Sequence, residues 1–418
     1  MKSQTDTASF VIVGWIIMKF KKLVCIMLAG LFASMATACN TNANVRNSND
    51  SKSEEEMETV ERYDEYSLDV YMKPLWEGKI VYNETIMFVG REDEAPLLYP
   101  ATEIISVRSY DLGTEYMRGI DYEYNEKNNS ISMLHGGIMP FMDEETYYPD
   151  RIINGMTFAC TDPDRAYIQC AEGSFFCEKQ IAVTYRHSGA ILEKPVAQNQ
   201  AFERTTRKLK NNEITKILFY GDSITVGANA SGYKEVDYPP YADIWAQMVF
   251  QSMTKKYGAT NAEYINTAVG GWTSGNGLEN LDTDVISYAP DAIFLGFGMN
   301  DGALTSTQHI KNIRMMIERI WSALPNTEIC LVTPMLANSE VQGFYCRQAE
   351  FEFEYLKLLE DCRKEGQKKL CVANVTKLHK QLLEYKRYYD MTGNNVNHPN
   401  DFLSRVYAQT VFQTICGN

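Results

Sequence analysis

Apolar positions change their spacing along this chain. Between about Glu61 and His187 they fall in short runs rich in β-branched and aromatic residues: Lys79–Tyr82, Thr85–Val89, Thr102–Tyr110 and Gln180–Tyr185. Turn signals such as Glu126-Lys127-Asn128-Asn129 separate them. This rhythm predicts a small β-sandwich domain over residues 61–187. Over residues 188–213 the pattern dissolves into a polar, basic linker with Pro195 and the cluster Arg204, Arg207, Lys208 and Lys210. From 214 to 418 strand-length apolar runs alternate with helical stretches. The expected strands are 216–220, 263–266, 292–296, 328–332 and 370–373, and the expected helices 241–256, 307–324, 348–365, 377–385 and 402–414. Such alternation predicts an α/β fold with three α/β/α layers, a doubly wound parallel sheet covered by helices on both faces.

The first 39 residues follow a different logic. From Met18, the expected start, come Lys19, Lys21 and Lys22, then an apolar stretch from Leu23 to Phe32, then small residues before Cys39. This is the pattern of a signal peptide, and the stretch falls short of the roughly 20 apolar residues that span a bilayer. Ala36-Thr37-Ala38-Cys39 resembles a bacterial lipobox, whose Cys becomes the lipidated first residue of the mature protein. Because Ala36 stands where such motifs usually carry Leu, plain cleavage after A-x-A is the alternative. Residues 40–60 are an Asn-, Ser- and Glu-rich tether too poor in apolar side chains to fold. The expected location is therefore outside the cytoplasm. The chain is a membrane-anchored lipoprotein in the periplasm or on the cell surface, or else secreted.

Hydrophobic residues at 45% supply packed cores, and a net charge of -14 excludes the basic footprint that phosphate backbones require, so no nucleic acid partner is expected. Of ten Cys, Cys25 and Cys39 lie in the targeting segment. The remaining even number permits disulfides in an exported protein, most readily within Cys160, Cys170 and Cys177. No CxxC pair marks a metal site.

Candidate chemistry sits at strand ends, where open α/β sheets gather their reactive groups. The strand 216–220 runs into Gly221-Asp222-Ser223-Ile224-Thr225, which places a serine hydroxyl on a tight strand-to-helix turn, a nucleophile position. The strand 263–266 ends near Gly270-Gly271, where the backbone can approach a ligand and offer an N–H. The strand 292–296 leads to Gly298-Met299-Asn300-Asp301, and the Asn amide is an uncharged donor suited to a developing oxyanion. Asp222 is expected to cap or brace the turn.

With Asn397-His398-Pro399-Asn400-Asp401, these blocks resemble the SGNH (GDSL-like) hydrolase family in order and placement, over about residues 214–418. The resemblance implies Ser223 as nucleophile, His398 as general base, and Gly271, Asn300 and the Ser223 N–H as the oxyanion hole, with no metal or organic cofactor. The strand-rich region also resembles the β-sandwich modules that precede this hydrolase domain in some bacterial carbohydrate esterases, and no catalytic group is expected within it. Of the five histidines, His135, His187, His309 and His379 read as packed or surface residues. The family usually carries Asp three residues before its histidine, but here that position is Asn395. The expectation is a dyad whose imidazole is oriented by a neutral oxygen, from Asn395 or a nearby carbonyl. Asp390 and Asp401 are the alternative third members, otherwise structural.

The function this reading predicts is ester hydrolysis, foremost of O-acetyl groups on a polysaccharide or oligosaccharide, with membrane contact only through the lipid anchor. Tyr233, Tyr238, Tyr241 and Trp272 lie near the motif loops as candidates for stacking on sugar rings. The rivals are a lipase, acyl-thioesterase or other short-chain esterase on the same residues, and a surface glycan-binding protein whose hydrolase domain is dead.

Overall fold

A computed structural model describes residues 58–235, 237–344 and 347–417. Its first half is antiparallel. In chain order the strands are β1 (Ile80–Met87), β2 (Glu94–Pro96), β3 (Ala101–Ser109), β4 (Glu115–Tyr116), β5 (Tyr122–Asn125), β6 (Ser130–Met133), β7 (Thr157–Ala159), β8 (Tyr167–Gln169) and β9 (Gln180–His187). They form a four-stranded sheet in the order β1-β9-β3-β4, a three-stranded sheet β2-β6-β5 and the pair β7-β8. Ile86, Val107 and Val183 of the first sheet share a core with Ala95, Tyr122 and Ile131 of the second. These make a smaller β domain ahead of a second, α/β half.

Strand β1 is an edge strand, yet all eight of its residues are buried. An exposed edge leaves backbone groups open to unwanted pairing; here the second half of the chain covers it. Arg405 donates to the Tyr82 carbonyl, Arg387 to the Met87 carbonyl, and the Met87 N–H donates to Asp390 Oδ1 at 2.9 Å. Deeper in the same contact, Glu84 and Lys386, both fully buried, form an ion pair at 2.6 Å.

In the second half the strands β10 (Thr215–Gly221), β11 (Ala262–Asn266), β12 (Ala292–Gly296), β13 (Glu328–Val332) and β14 (Leu370–Ala373) pair in parallel, in the order β11-β10-β12-β13-β14. Period-two alternation assigns their side chains to two cores. Ile217 and Phe219 point into one with Phe294, Val332 and the helices Trp245–Tyr257 and Asp401–Cys416. Leu218 and Tyr220 point into the other with Leu295, Leu331 and the helices Ser306–Ala323 and Gln348–Lys364. The three-layer α/β/α arrangement follows directly.

The first of these cores runs on into the β domain. Its bridge is the helix Asp401–Cys416, in which 14 residues are buried. Gln409 donates to the carbonyls of Tyr71 and Lys73 at 2.7 Å, and the Arg405 guanidinium lies over the rings of Phe402 and Tyr71.

Several local expectations shift. The helix expected from Tyr241 begins at Trp245, because Pro239-Pro240 precede it and Tyr241 takes a left-handed φ of 57°. The segment read as a linker contains the helix Glu203–Lys210, whose first N–H groups donate to the Glu328 carboxylate at 2.7 and 2.8 Å. Cys160, Cys170 and Cys177 are free thiols, not a disulfide framework, as are the other described cysteines; Cys346 lies outside the described residues, as do the expected signal peptide, Cys39 and most of the expected tether.

Candidate active site

The strand order reverses at β10, whose chain continues first to β11 on one side and then to β12 on the other. The crevice at the carboxyl ends of these strands is where open α/β sheets bind ligands. Gly221 ends β10 where no side chain fits: an added Cβ would lie 2.2 Å from the Gly296 carbonyl oxygen. Asp222 then caps the short helix Ser223–Val226, its carboxylate accepting from the Ile224 N–H at 3.0 Å. Burial, with the nearby Asp301 charge, pushes the Asp222 carboxyl up to about 7. The turn leaves Ser223 only 8% exposed, at the floor of the crevice.

His398 reaches this floor from the loop before the helix Asp401–Cys416. Its Nε2 lies 2.8 Å from Ser223 Oγ, and its Nδ1 lies 2.8 Å from Asn229 Oδ1 and 3.1 Å from Glu172 Oε2. The Asn229 amide nitrogen faces the carbonyls of Gly173 and Gly393, so its oxygen faces the imidazole. With two acceptors at Nδ1, the proton belongs there, and Nε2 keeps the lone pair that accepts from the serine hydroxyl. The loop is held from within, because Asn394 Oδ1 accepts the N–H groups of Val396, Asn397 and His398, each at 3.0 Å. Gly393 is required by close approach; a Cβ there would fall 2.4 Å from Asn229 Cβ.

The loop after β11 lies beside Ser223: an added Cβ at Gly270 would sit 3.9 Å from Ser223 Cβ, and Gly271 has a left-handed φ of 78°. Asn300 Nδ2 donates to the Trp272 carbonyl at 3.0 Å, which fixes its amide against the Gly271 loop and leaves its second hydrogen for a ligand. Asp301 ties the two loops together, accepting both the N–H and the hydroxyl of Ser274. A cavity of about 370 Å³ opens beside Asn300, lined also by Met299, Gly302, Ala303, Gly343 and Phe344. Among the tyrosines noted as stacking candidates, Tyr238 lines a separate cavity with Tyr110 and Cys177, whereas Tyr241 is exposed.

Asn395 does not orient the imidazole. It is fully buried with φ 62°; its oxygen accepts from Tyr147 Oη and Asn338 Nδ2, both at 3.2 Å, and its nitrogen donates to the Gln169 carbonyl. The left-handed backbone turns this side chain toward the β domain. Asp390 is likewise spent on Met87 and Arg387, and Asp401 on the Ser231 N–H at 2.8 Å, with burial pushing the Asp401 carboxyl up to about 6. The groups at Nδ1 are instead Asn229 and Glu172, neither of them anticipated. Asn229 lies six residues beyond Ser223, with no motif to flag it. Glu172 comes from the β domain, where no catalytic group was expected. Burial alone would raise the Glu172 carboxyl, but its hydrogen bond to His398, the imidazolium charge and the Asn394 amide hold it below the ordinary glutamate value.

The other histidines are occupied elsewhere. His379 Nδ1 accepts from the Leu336 N–H at 3.0 Å, and burial pulls its pKa down to about 3. His309 is buried and stacks on Phe351, His187 stacks on Tyr99, and His135 is exposed. Among the described residues no group of three or more His, Cys, Asp or Glu is placed to hold a metal ion, and no helix is long and apolar enough to cross a membrane.

Comparison with known proteins adds the following. Among solved structures the chain is similar to a catalytic mutant of Axe2, an acetylxylan esterase from Geobacillus stearothermophilus, at 15% identity and a TM-score of 0.40, covering 49% of this chain and 95% of that one. It is also similar to a two-domain esterase active on acetylated mannans, co-crystallised with mannopentaose, at 17% identity and a TM-score of 0.40, covering 52% of this chain and 53% of that one. Comparison with curated protein sequences gave no match. The sequence model of the GDSL-like Lipase/Acylhydrolase family matches residues 219–403, a span that holds Ser223, Gly271, Asn300 and His398. From the Ser223 turn to the His398 loop, this chain therefore matches the model of the GDSL-like lipase/acylhydrolase family.

Proposed function

We propose that the protein is an exported serine esterase that removes short acyl groups, foremost O-acetyl groups, from a polysaccharide or oligosaccharide. The observation that carries the hydrolytic part is the continuous hydrogen-bond chain from Ser223 Oγ through both nitrogens of His398 to Asn229 and Glu172. In this mechanism His398 Nε2 takes the serine proton as Oγ attacks the acyl carbon. The carbonyl oxygen, now negative, is met by the N–H groups of Ser223 and Gly271 and by the free hydrogen of Asn300 Nδ2. As the tetrahedral carbon collapses, the imidazolium returns its proton to the departing sugar oxygen. Water, deprotonated by the same nitrogen, then releases the acid from Ser223.

The choice of substrate rests on three supports: the signal sequence, the accompanying β domain, and the cavity beside Asn300. Small residues (Gly302, Ala303, Gly343) and the Phe344 ring together suit the flat apolar face of a sugar. Acetate release from a panel of acetylated glycans, set against p-nitrophenyl esters of rising chain length, tests this reading. The expected result is preference for acetyl esters and release from at least one glycan. Faster turnover of long-chain aryl esters, with no glycan deacetylated, would favour a lipase instead.

We further propose that Cys39 anchors the mature chain through lipid. The native host should then hold the wild-type protein in its membrane fraction, and Cys39→Ser should release it or block processing. Recovery of unmodified wild-type protein beginning at Cys39 would refute the anchor.

A further inference from the structure

The loop that joins β8 to β9 carries an acidic residue into a site otherwise built from the other half of the chain. Four hydrogen bonds lock it onto the histidine loop and onto Asn229. The Ala171 N–H donates to the Asn394 carbonyl at 3.4 Å, Asn394 Nδ2 to Glu172 Oε1 at 3.0 Å, Asn229 Nδ2 to the Gly173 carbonyl at 3.1 Å, and Asn395 Nδ2 to the Gln169 carbonyl at 3.0 Å. The Asn394 contact holds one carboxylate oxygen of Glu172 and aims the other at His398 Nδ1. The Asn395 contact, at the position where the family places its acid, braces the segment that supplies this one.

We infer that Glu172, delivered by the β domain, is the positioning carboxylate of His398, and that it shares with Asn229 the work one aspartate does in other members of the family. The inference rests on reading Ser223 and His398 as nucleophile and base. The division of labour follows from chemistry. The amide oxygen of Asn229, the nearer acceptor, fixes the tautomer but brings no charge. Glu172 brings the charge that stabilises the imidazolium formed at attack. Its side chain is about two-thirds exposed, so water screens that charge, and its effect is smaller than that of a buried triad aspartate. The other ionisable groups facing the pair are Asp222, which lies beneath the nucleophile turn and feels the imidazole charge, and Cys170, which feels that of Glu172. Neither touches Nδ1.

The test is steady-state aryl acetate hydrolysis by the full-length chain, with kcat and KM separated. In Glu172→Gln kcat should fall about tenfold, with KM changed less than about twofold, because the loss falls on the transition state. Glu172→Asp, which keeps the charge on a shorter stem, should recover part of that loss. Wild-type kinetics in Glu172→Gln would overturn the inference. So would a loss that falls on KM, or one that Glu172→Asp does not relieve at all, which would make Glu172 only a tether for the loop. Any of these results, with Ser223→Ala inactive, leaves the esterase reading standing; an active Ser223→Ala would instead remove the reading itself.

Discussion

Ser223→Ala is expected to lower turnover of any accepted ester by about 10³-fold or more, His398→Ala by a similar factor, and the double variant scarcely further. The non-additivity is the informative part. The serine hydroxyl attacks only as its proton leaves for Nε2, 2.8 Å away, so either removal disables the same step. What survives is the work of the oxyanion donors on water as nucleophile, common to all three variants. Single-turnover kinetics of the two single variants and the double measure this directly. Wild-type-like turnover by Ser223→Ala sinks the assignment, and losses that multiply in the double variant would mean that the two residues act in separate steps.

Lys386→Met should be the most destabilising of the conservative substitutions at the contact between the two halves. Glu84 and Lys386 are both fully buried, 2.6 Å apart, and the carboxylate also accepts from the Leu98 N–H at 2.9 Å and Tyr185 Oη at 2.6 Å. Methionine occupies much the same volume as the lysine stem but leaves a buried carboxylate without its counter-charge, at a cost of about 3–5 kcal/mol. Replacing both partners removes that penalty. Glu84→Gln/Lys386→Met should therefore be more stable than Lys386→Met alone, since a neutral amide can still accept one of the two remaining donors. Denaturant unfolding of wild type, both single variants and the double checks the cycle. A Lys386→Met variant within about 0.5 kcal/mol of wild type would mean that water reaches Glu84 and that the pair contributes little to holding the β domain against the hydrolase fold.

The features legible in the sequence are those that local spacing encodes. Alternation along Ile217-Leu218-Phe219-Tyr220 foretells a strand with two covered faces, because each side chain's face is set by its neighbours in the chain. Ser223, Gly271 and Asn300 were singled out as candidates because they follow strand ends, and the family resemblance supplied their proposed roles. A parallel sheet brings its strand ends together, so residues just past β10, β11 and β12 must meet, however far apart they lie in sequence. His398 stood out by its Pro- and Asn-rich loop.

Tertiary structure decided what completes the imidazole. Asn395 carries the family's position but not its direction, since a φ of 62° turns the side chain from the imidazole toward Tyr147 and Asn338. Glu172 stands 226 residues before His398, in a segment with its own antiparallel logic, and nothing in its neighbourhood marks it as a partner of His398. The pairing of Cys160, Cys170 and Cys177 was equally beyond reach, because an even count permits a disulfide while only Cα separation and side-chain direction can make one. The sequence by itself determined the two kinds of sheet and pointed to Ser223, His398, Gly271 and Asn300 as candidates, because they stand just past strand ends or in a Pro- and Asn-rich loop. Only the packed fold, by covering the β1 edge and swinging the loop after β8 onto the histidine, decided that a carboxylate from the β domain stands at Nδ1.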